Sequence, residues 1–271
     1  MIISILGCGW LGLPLAEHLR GHSHRIKGST TSRDKLALLK GKDIQPYLIT
    51  LDPALNEDLN PDYWDADLLI LNIPPGRDRN NIELFHKQQI QAVIDQLEES
   101  SISKVIFASS TSVYPLTSDI VSEEDTIPGK AARDSGNALL AAEKILLDHA
   151  SFDTTVLRFG GLYGSDRHPV TRLAGRTNLP KGNAPVNLIH REDCIGVIQS
   201  VIDSTISNSI FNVVSDGHPP KKMYYPAIAQ LKDLTPPEYA EDETKNYKIV
   251  SNQKLKHMLN YKFKYPNPMD L

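Results

Sequence analysis

Two polar stretches of the sequence carry residue types that could transfer a proton. The first, KVIFASSTSVYP over residues 104–115, is an apolar run that ends in hydroxyl side chains. The second, RDSGNALLAAEK over residues 133–144, begins with a cation, a carboxylate and a hydroxyl and then continues as an apolar helix. A positioned carboxylate or an activated hydroxyl can act as a general acid or base. If this protein moves protons, we expect its acid and base in these two stretches.

A glycine motif near the start of the chain has the residues of a phosphate cradle. GCGWLG fits G-x-G-x-x-G, directly after the apolar run IISIL and before a helical segment. In this motif the first glycine permits a tight turn, the second lets the backbone approach a pyrophosphate, and the third lets helix and strand pack closely. The pattern predicts a dinucleotide site, with a bare strand-to-helix turn as the alternative. The predicted cofactor contacts in this loop are Gly7, Cys8, Gly9, Trp10, Leu11 and Gly12.

The end of the second predicted strand indicates which dinucleotide would bind. In NAD-binding proteins an acid about twenty residues after the glycine motif holds the adenosine ribose hydroxyls. This chain has STTSR instead, in which Thr31, Ser32 and Arg33 offer hydroxyls and a cation that suit a 2′-phosphate. We therefore expect NADP, with NAD the less favoured cofactor. Alternatively, Arg33 is only a solvated residue in the first turn of a helix, and Asp34 is a helix cap.

The elements that would position these residues alternate between strand and helix. Helices are predicted between the strands from apolar periodicity and from glycines that end them, as Gly41 does. The pattern indicates an α/β fold built on a doubly wound parallel Rossmann sheet. The predicted strands are 2–6, 24–32, 46–51, 67–73, 104–109 and 154–159.

Beyond Gly164 the alternation stops, and a smaller C-terminal substrate lobe is expected. The segment that follows is rich in glycine, proline and arginine, and the last fifty residues read as short helices among prolines. A strand and helix from residue 186, and a strand at 210–214, are expected to rejoin the sheet. We predict a dinucleotide-binding Rossmann domain over residues 1–164, rejoined by about 186–215, and a substrate-binding lobe over 165–271.

Composition excludes several classes of function. The formal net charge is −4 and the pI is about 6.1, without a basic stripe, so we expect no nucleic-acid partner and no anionic membrane surface. No stretch has the length of a membrane helix, and the first segment lacks the charge and cleavage site of a secretion signal. Two cysteines without a C-x-x-C pattern favour a cytoplasmic location. The histidines form no metal-binding motif, so no metal is expected.

With these motifs in place, the sequence resembles the extended and atypical short-chain dehydrogenase/reductase superfamily, the NAD-dependent epimerase/dehydratase group. The likeness runs nearly from end to end. It implies a nicotinamide cofactor and a small-molecule substrate, while the oligomeric state remains open. Besides the glycine motif, the segments that carry the resemblance are KVIFASSTSVYP, VSEEDTIP, VLRFGGLYGSDRHP, VNLIHREDCIGVI and FNVVSDG.

The resemblance also implies roles for residues, and one motif is missing. Ser110 matches the family's hydroxyl that hydrogen-bonds the substrate oxygen, and Thr111 lies beside it. The family's catalytic helix carries Y-x-x-x-K ahead of an Ala-Glu pair like Ala142–Glu143. Aligned on that pair, the Tyr position falls on Ser135 and the Lys position on Leu139. The family's Tyr passes the proton and its Lys lowers the Tyr pKa and binds the nicotinamide ribose, so both roles lack their usual residues here.

Further cofactor contacts follow from the same resemblance, through loops at the ends of strands three, four and six. They are Asp52 for the adenine, Ile73, Pro74 and Pro75 beside the nicotinamide ribose, and Phe159 and Gly160 near the carboxamide.

The polar front of the helix offers a replacement for the missing pair. Lys144 lies nine residues after Ser135 and, at about 100° per residue, points to the opposite helix face. We therefore expect Arg133 to supply a cation, Asp134 a proton acceptor and Ser135 a relay. The alternative is that Asp134 or Ser135 caps the helix and Arg133 is solvated.

Other side chains rank below this group. Tyr114 and Tyr163 are possible proton donors, although packing or cofactor contact usually explains their positions in the family. Arg158, Arg167 and His168 could line a substrate pocket, and the fold alone could also account for Arg158.

Two functions fit these observations. The first is an NAD(P)-dependent oxidoreductase, epimerase or dehydratase that acts on a small hydroxylated or nucleotide-linked substrate, with Ser110 polarising the reacting oxygen. The second is an NADP(H)-binding sensor that has lost its chemistry. Retention of Ser110 favours the enzyme, and loss of the Tyr and Lys favours the sensor.

Overall fold

The computed structural model describes residues 1–56, 59–76, 81–241 and 244–270. Its main element is a seven-stranded sheet in the order β10-β7-β5-β4-β1-β2-β3, which confirms the doubly wound Rossmann sheet. The seven strands are β1 Ile2–Leu6, β2 Arg25–Thr30, β3 Gln45–Leu48, β4 Leu68–Leu71, β5 Lys104–Ser110, β7 Asp153–Phe159 and β10 Ser209–Val213.

Within the described residues, seven α-helices accompany the strands, and four shorter strands lie outside the main sheet. The helices are α1 Gly12–Gly21, α2 Asp34–Gly41, α3 Ile82–Glu98, α4 Asp134–Leu147, α5 Arg191–Asp203, α6 Lys221–Leu231 and α7 Gln253–Leu259. The short strands are β6 Ile120–Val121, β8 Gly161–Tyr163, β9 Leu188–His190 and β11 Ile249–Val250.

The chain divides into two compact units. The first comprises residues 1–113, 133–158 and 201–210, and the second comprises 114–132, 159–200 and 211–271. The second unit thus gathers three separate stretches, including a segment between β5 and α4.

The central strands are apolar because the sheet buries both of their faces. All four residues of β4 are buried, as are four of the five in β1. β1 pairs in parallel with β2 on one side and with β4 on the other, and β4 pairs in parallel with β5. A continuous apolar run is the pattern expected for a parallel strand covered on both faces. Leu6, Leu71 and Phe107 are level across the three strands, so the residues after them meet at one edge.

The apolar residues of this region predict a helix over residues 139–150, and helix α4 begins five residues earlier. Its first residue is Asp134, and its N-cap is Arg133 in an extended conformation, with no side-chain cap hydrogen bond. The expectation that Asp134 or Ser135 caps this helix is therefore wrong. Gly136 and Ala138 are buried in the first turns, so packing extends the helix through residues whose own helix propensity is low.

In the second unit, one buried asparagine connects two of the three stretches of chain. Asn212, at 0% exposure, donates its backbone N–H to Glu123 Oε1 (2.7 Å) and accepts at Oδ1 from the Tyr114 hydroxyl (2.7 Å). Its Nδ2 donates to the carbonyl of Ser251 (2.9 Å). Buried hydrogen bonds of this kind specify their partners strongly, and these attach residues 114–132 to residues 211–271.

The remaining elements of the second unit pair locally. β6 pairs in parallel with β11, and β8 with β9. Across the described ranges, no helix is long and apolar enough to span a membrane.

Candidate functional site

The sheet reverses its direction of growth between β1 and β4. From β1 the chain proceeds outward to β2 and β3, and then returns to β4 and β5 on the other side. In open α/β sheets, ligands bind outside the carboxyl ends of the strands at such a switch point. The loops after β1 and β4 meet there, since the Asn72 side-chain amide donates to the Gly7 carbonyl (2.9 Å) and the Asn72 N–H donates to the Leu6 carbonyl (2.9 Å).

The glycine turn is also held from the β2 side. Ser29 Oγ accepts a hydrogen bond from the Gly7 N–H (2.9 Å), and the Ser29 carbonyl accepts from the Cys8 N–H (2.9 Å). Gly7 has φ +107°, and a Cβ there would collide with the Asn72 carbonyl oxygen. A Cβ at Gly12 would collide with the Gly7 carbonyl oxygen. These two glycines therefore shape the turn itself.

Gly9 differs from them, because a Cβ there would meet no atom within 4 Å. The loop backbone at this exposed residue faces open space, which is where the motif places a pyrophosphate. Helix α1 follows with no side-chain cap and no acidic residue in its first turn. Its Leu13 N–H already donates to the Gly9 carbonyl (3.0 Å) and Pro14 has no N–H, so an anion at this positive helix end would bind at the Gly12 N–H and the loop before it.

The side chains between the glycines have different surroundings. Cys8 and Leu11 are buried and Trp10 is half-buried. Burial raises the pKa of the Cys8 thiol to about 12, so this cysteine serves as a small packed side chain and not as a reactive thiolate. Cys8 and Leu11 can therefore reach a cofactor only through their backbone.

The turn from β2 to α2 presents the residues predicted to select the cofactor. Thr31 and Arg33 are exposed, and Ser32 donates its N–H to Thr30 Oγ1 (3.2 Å). Arg33, not Asp34, occupies the N-cap of α2, and Asp34 lies in the first turn, so the capping alternative for Asp34 is wrong. The preference for NADP stays a prediction.

The contacts implied at the other strand ends lie on loops. Asp52 is exposed and follows β3 by four residues, with its N–H donating to the Ala54 carbonyl (2.9 Å). After β4, Ile73 is half-buried, Pro74 exposed and Pro75 buried. Their contacts with a cofactor stay predictions.

Phe159 and Gly160 belong to the second unit. Phe159 is the buried last residue of β7, and the Gly160 N–H donates to the Val213 carbonyl (3.0 Å). A Cβ at Gly160 would come within 2.8 Å of the Asn187 carbonyl oxygen. The predicted contact of these residues with a carboxamide remains open.

At the end of β5, Ser110 has a hydroxyl that can still donate. It is half-buried, and its Oγ accepts from the Ser112 N–H (3.1 Å). Within the described part of the chain, its hydroxyl hydrogen has no acceptor. Thr111 beside it is buried. The turn Thr111–Val113 packs against α4, which brings the end of β5 and the catalytic-helix candidate together.

The front of α4 combines solvated and half-buried groups. Arg133 and Asp134 are exposed and Ser135 is half-buried. Leu139, at the family's Lys position, is only 4% exposed. Lys144 is exposed and pairs with Asp148 (2.5 Å), as expected for a residue on the outer face. The structure thus leaves Ser135 as the member of this group closest to the interior, and the catalytic assignments stay predictions.

A buried ion pair next to these residues was not predicted from the sequence. Arg158 Nη2 donates to Glu143 Oε2 (2.6 Å), and both side chains are 2% exposed. Glu143 Oε1 also accepts from the Ser109 hydroxyl (2.5 Å). Arg158 is therefore a buried partner of Glu143 and does not line a pocket. The available signal was an arginine among the apolar residues of a buried strand, which requires a buried partner.

The two tyrosines considered as proton donors are both fully buried. Tyr114 donates its hydroxyl to Asn212, and burial raises the pKa of Tyr163 above its ordinary value. Neither hydroxyl is accessible to a substrate from solvent in this arrangement.

His168 is also an interior residue of the second unit. Its Nδ1 accepts from the Val170 N–H (3.1 Å), so its other ring nitrogen, Nε2, carries the proton and faces the Tyr224 hydroxyl (2.9 Å). Burial lowers the pKa of His168 to about 4. The ring is therefore neutral and structural at pH 7.

This neutral histidine gives a stability prediction. Because its folded-state pKa of about 4 lies below the ordinary 6.5, the unfolded chain binds the proton first, and stability falls as pH drops through that interval. Between pH 7 and pH 5 the loss is about 2 kcal/mol. Urea unfolding should show a pH dependence smaller by that amount in His168→Asn, whose side chain can still cap Val170. In the exposed control His257→Asn, the free energy of unfolding should depend on pH as it does in the parent. If His168→Asn also showed the parent's pH dependence, His168 would not be the buried neutral histidine proposed.

Comparisons with known proteins place the chain in a family. No protein-family model matches the sequence. Protein YeeZ of Escherichia coli K12 is 33% identical over 271 residues, which cover 98% of this chain and 97% of YeeZ. The chain belongs to the YeeZ family.

Comparison with solved structures shows that this YeeZ-family protein has the short-chain dehydrogenase/reductase fold. A superfamily protein from Agrobacterium tumefaciens with bound NAD matches with a TM-score of 0.79 at 14% identity, covering 100% of this chain and 95% of that one. MoeE5 in complex with UDP-glucuronic acid and NAD matches with a TM-score of 0.75 at 17% identity, covering 99% and 96%. At these identities the likeness establishes the fold, as the sequence predicted.

Proposed function

We propose that this YeeZ-family protein binds NADP(H) at the β1/β4 switch point and uses it to oxidise, reduce or epimerise a hydroxylated substrate. The observation that carries the proposal is Gly9, where the loop backbone faces open space at the switch point. Two neighbouring glycines hold the turn in shape, and α1 begins without a carboxylate. Such an arrangement suits a pyrophosphate.

The residues present fit the cofactor at its phosphate and at its ribose. The glycine loop and the Gly12 N–H at the start of α1 would hold the pyrophosphate, and Thr31, Ser32 and Arg33 would hold the 2′-phosphate. When bound, the cofactor supplies a nicotinamide that accepts or donates a hydride. The roles of the protein side chains do not depend on further details of how the cofactor is bound.

Those roles centre on hydroxyls. The Ser110 hydroxyl hydrogen is uncommitted among the described residues, so it can donate to a substrate oxygen on which negative charge develops. Ser135 can relay a proton between that oxygen and the solvated Asp134 carboxylate, directly or through water. Leu139 cannot perform the family Lys role, and Lys144 lies in solvent.

The chemical class of the substrate is proposed from a protein of the same fold. MoeE5, of the same fold, was solved with UDP-glucuronic acid. We propose a nucleotide-linked or other small hydroxylated compound. Turnover is tested with a panel of nucleotide sugars and carbonyl compounds. NADPH absorbance and product analysis monitor each reaction. Consumption or isomerisation of one compound would support the enzyme.

The burial of Leu139 at the family's Lys position favours a second candidate, an NADP(H) sensor without turnover. The same panel separates the two functions, because a sensor binds the cofactor but leaves every compound unchanged. Failure to bind either nicotinamide cofactor would contradict both.

Cofactor preference gives a direct prediction. NADP(H) should bind more tightly than NAD(H), because the exposed Arg33 guanidinium can pair with a 2′-phosphate. Arg33→Ala should weaken NADPH binding about tenfold and leave NADH binding nearly unchanged, since one charge-assisted hydrogen bond contributes about 1.5–3 kcal/mol. Calorimetric titration of both cofactors measures this. The neighbouring Lys35→Ala serves as the control for charge alone, and equal affinities in the parent protein would refute the preference.

A further inference from the structure

Ser109, Glu143 and Arg158 form a buried cluster. Its serine immediately precedes Ser110, the candidate active-site serine. Its members come from three elements, β5, α4 and β7. Arg158 Nε lies 3.1 Å from both oxygens of Glu143, and Nη2 lies 2.6 Å from Oε2. A carboxylate bound in this way by a guanidinium has a fixed orientation.

Ser109 takes its orientation from that carboxylate. Its hydroxyl donates to Glu143 Oε1 at 2.5 Å, and Ser109 itself is 5% exposed. Hydrogen bonds to a charged acceptor are about twice as strong as neutral ones. The hydroxyl hydrogen of Ser109 is therefore committed to the interior, whereas that of the adjacent Ser110 remains available.

The same bond connects the end of β5 to the helix that carries Ser135. Ser135, Leu139 and Glu143 are spaced by four residues, so they lie along one side of α4. Leu139 and Glu143 on that side are buried, and the turn after Ser110 packs on the same helix. The hydrogen bond from Ser109 to Glu143 therefore joins the strand end to this buried side of the helix.

We propose that Ser109, oriented by the Glu143–Arg158 ion pair, is a positioning residue that fixes the Ser110 turn against α4. This inference rests on the proposed function for its consequence in catalysis, but its structural part can be measured without a substrate.

The informative variant is Ser109→Ala, because it removes one hydroxyl and keeps the ion pair. Changing Glu143 would leave Arg158 buried without its carboxylate, and the protein could then fail to fold. The matched control is Ser4→Ala: Ser4 is a fully buried strand serine of the same unit, and its hydroxyl donates to the Tyr63 carbonyl (2.6 Å).

Hydrogen exchange measures the positioning itself. The amides of residues 110–113 should exchange about tenfold faster in Ser109→Ala than in the parent protein. Ser4→Ala should leave these amides within twofold of the parent, and Ser109→Thr, which restores a hydroxyl, should return their exchange to the parent rate. An unchanged exchange rate in Ser109→Ala, or an equal acceleration in Ser4→Ala, would overturn the proposal.

Once a substrate is turned over, a second readout applies. Ser109→Ala should lower kcat about tenfold while KM and the cofactor Kd stay within twofold, and Ser109→Thr should recover most of the loss. A loss of cofactor affinity in place of kcat would contradict positioning of Ser110. If the parent turns nothing over, the proposed function fails, whereas the exchange result still decides the role of Ser109.

Discussion

Gly9→Val is expected to weaken NADPH and NADH binding by at least about a hundredfold and to leave the fold intact. A Cβ at Gly9 meets no protein atom within 4 Å, so the valine side chain would extend into the space proposed for the pyrophosphate. Losing two charge-assisted hydrogen bonds from loop amides, each about 1.5–3 kcal/mol, corresponds to a change of that size. Calorimetric or fluorescence titration measures the affinity, and circular dichroism with thermal melting checks the fold.

The matched control for this variant is Gly21→Val. Gly21 ends α1, is exposed, and likewise has no atom near a built Cβ. The Gly21→Val protein should therefore bind both cofactors with the affinity of the parent protein. Parent-like affinity in a folded Gly9→Val protein would place the nucleotide elsewhere and refute the proposed site.

Ser110→Ala and Ser135→Ala are each expected to lower kcat by about a hundredfold or more, with cofactor affinity nearly unchanged. Ser110 would no longer donate to the reacting oxygen, and Ser135 would no longer relay the proton. A general acid–base contribution typically accounts for 10² to 10⁴ in rate. Asp134→Asn should produce a loss of the same order, because the amide cannot accept the proton. Steady-state kinetics on the substrate found in the panel measures these effects.

Lys144→Ala provides the comparison on the same helix. Lys144 lies in solvent and pairs with Asp148, so its removal should leave kcat unchanged. If Ser135→Ala and Asp134→Asn both retain full activity, the front of α4 takes no part in the chemistry. Since Tyr114 and Tyr163 are buried, the proton would then have to pass through Ser110 and water.

Sequence patterns correctly predicted the features that depend on neighbouring residues. The strand IISIL, the glycine turn and the alternation that gives the Rossmann sheet are each encoded by residues within a few positions of one another. Local chemistry is sufficient there, because an apolar run before G-x-G-x-x-G has few other conformations that bury its side chains. The assignment of Ser135 and Leu139 to the family's Tyr and Lys positions rests on the resemblance and stays a prediction.

Element boundaries were predicted less well because packing overrides local preference. Helix α4 includes Asp134, Ser135 and Gly136, which are poor helix formers, and buried Gly136 and Ala138 explain why it does. The strand predicted over 46–51 ends at Leu48. At both places the sequence correctly predicts that the element exists but not the residue at which it begins or ends.

The partners of polar residues were decided by the tertiary structure alone. Asn72 bonds to Gly7 65 positions away, and Ser109 bonds to Glu143 34 positions away. Each of these side chains could have made other hydrogen bonds in solution, and no local pattern ranks such alternatives. Only the order of the parallel strands brings their carboxyl ends to one edge, where burial then excludes water and selects these partners. The sequence by itself thus determined the fold and the glycine loop of this protein, while the tertiary structure decided how that loop and the turn at Ser110 are held.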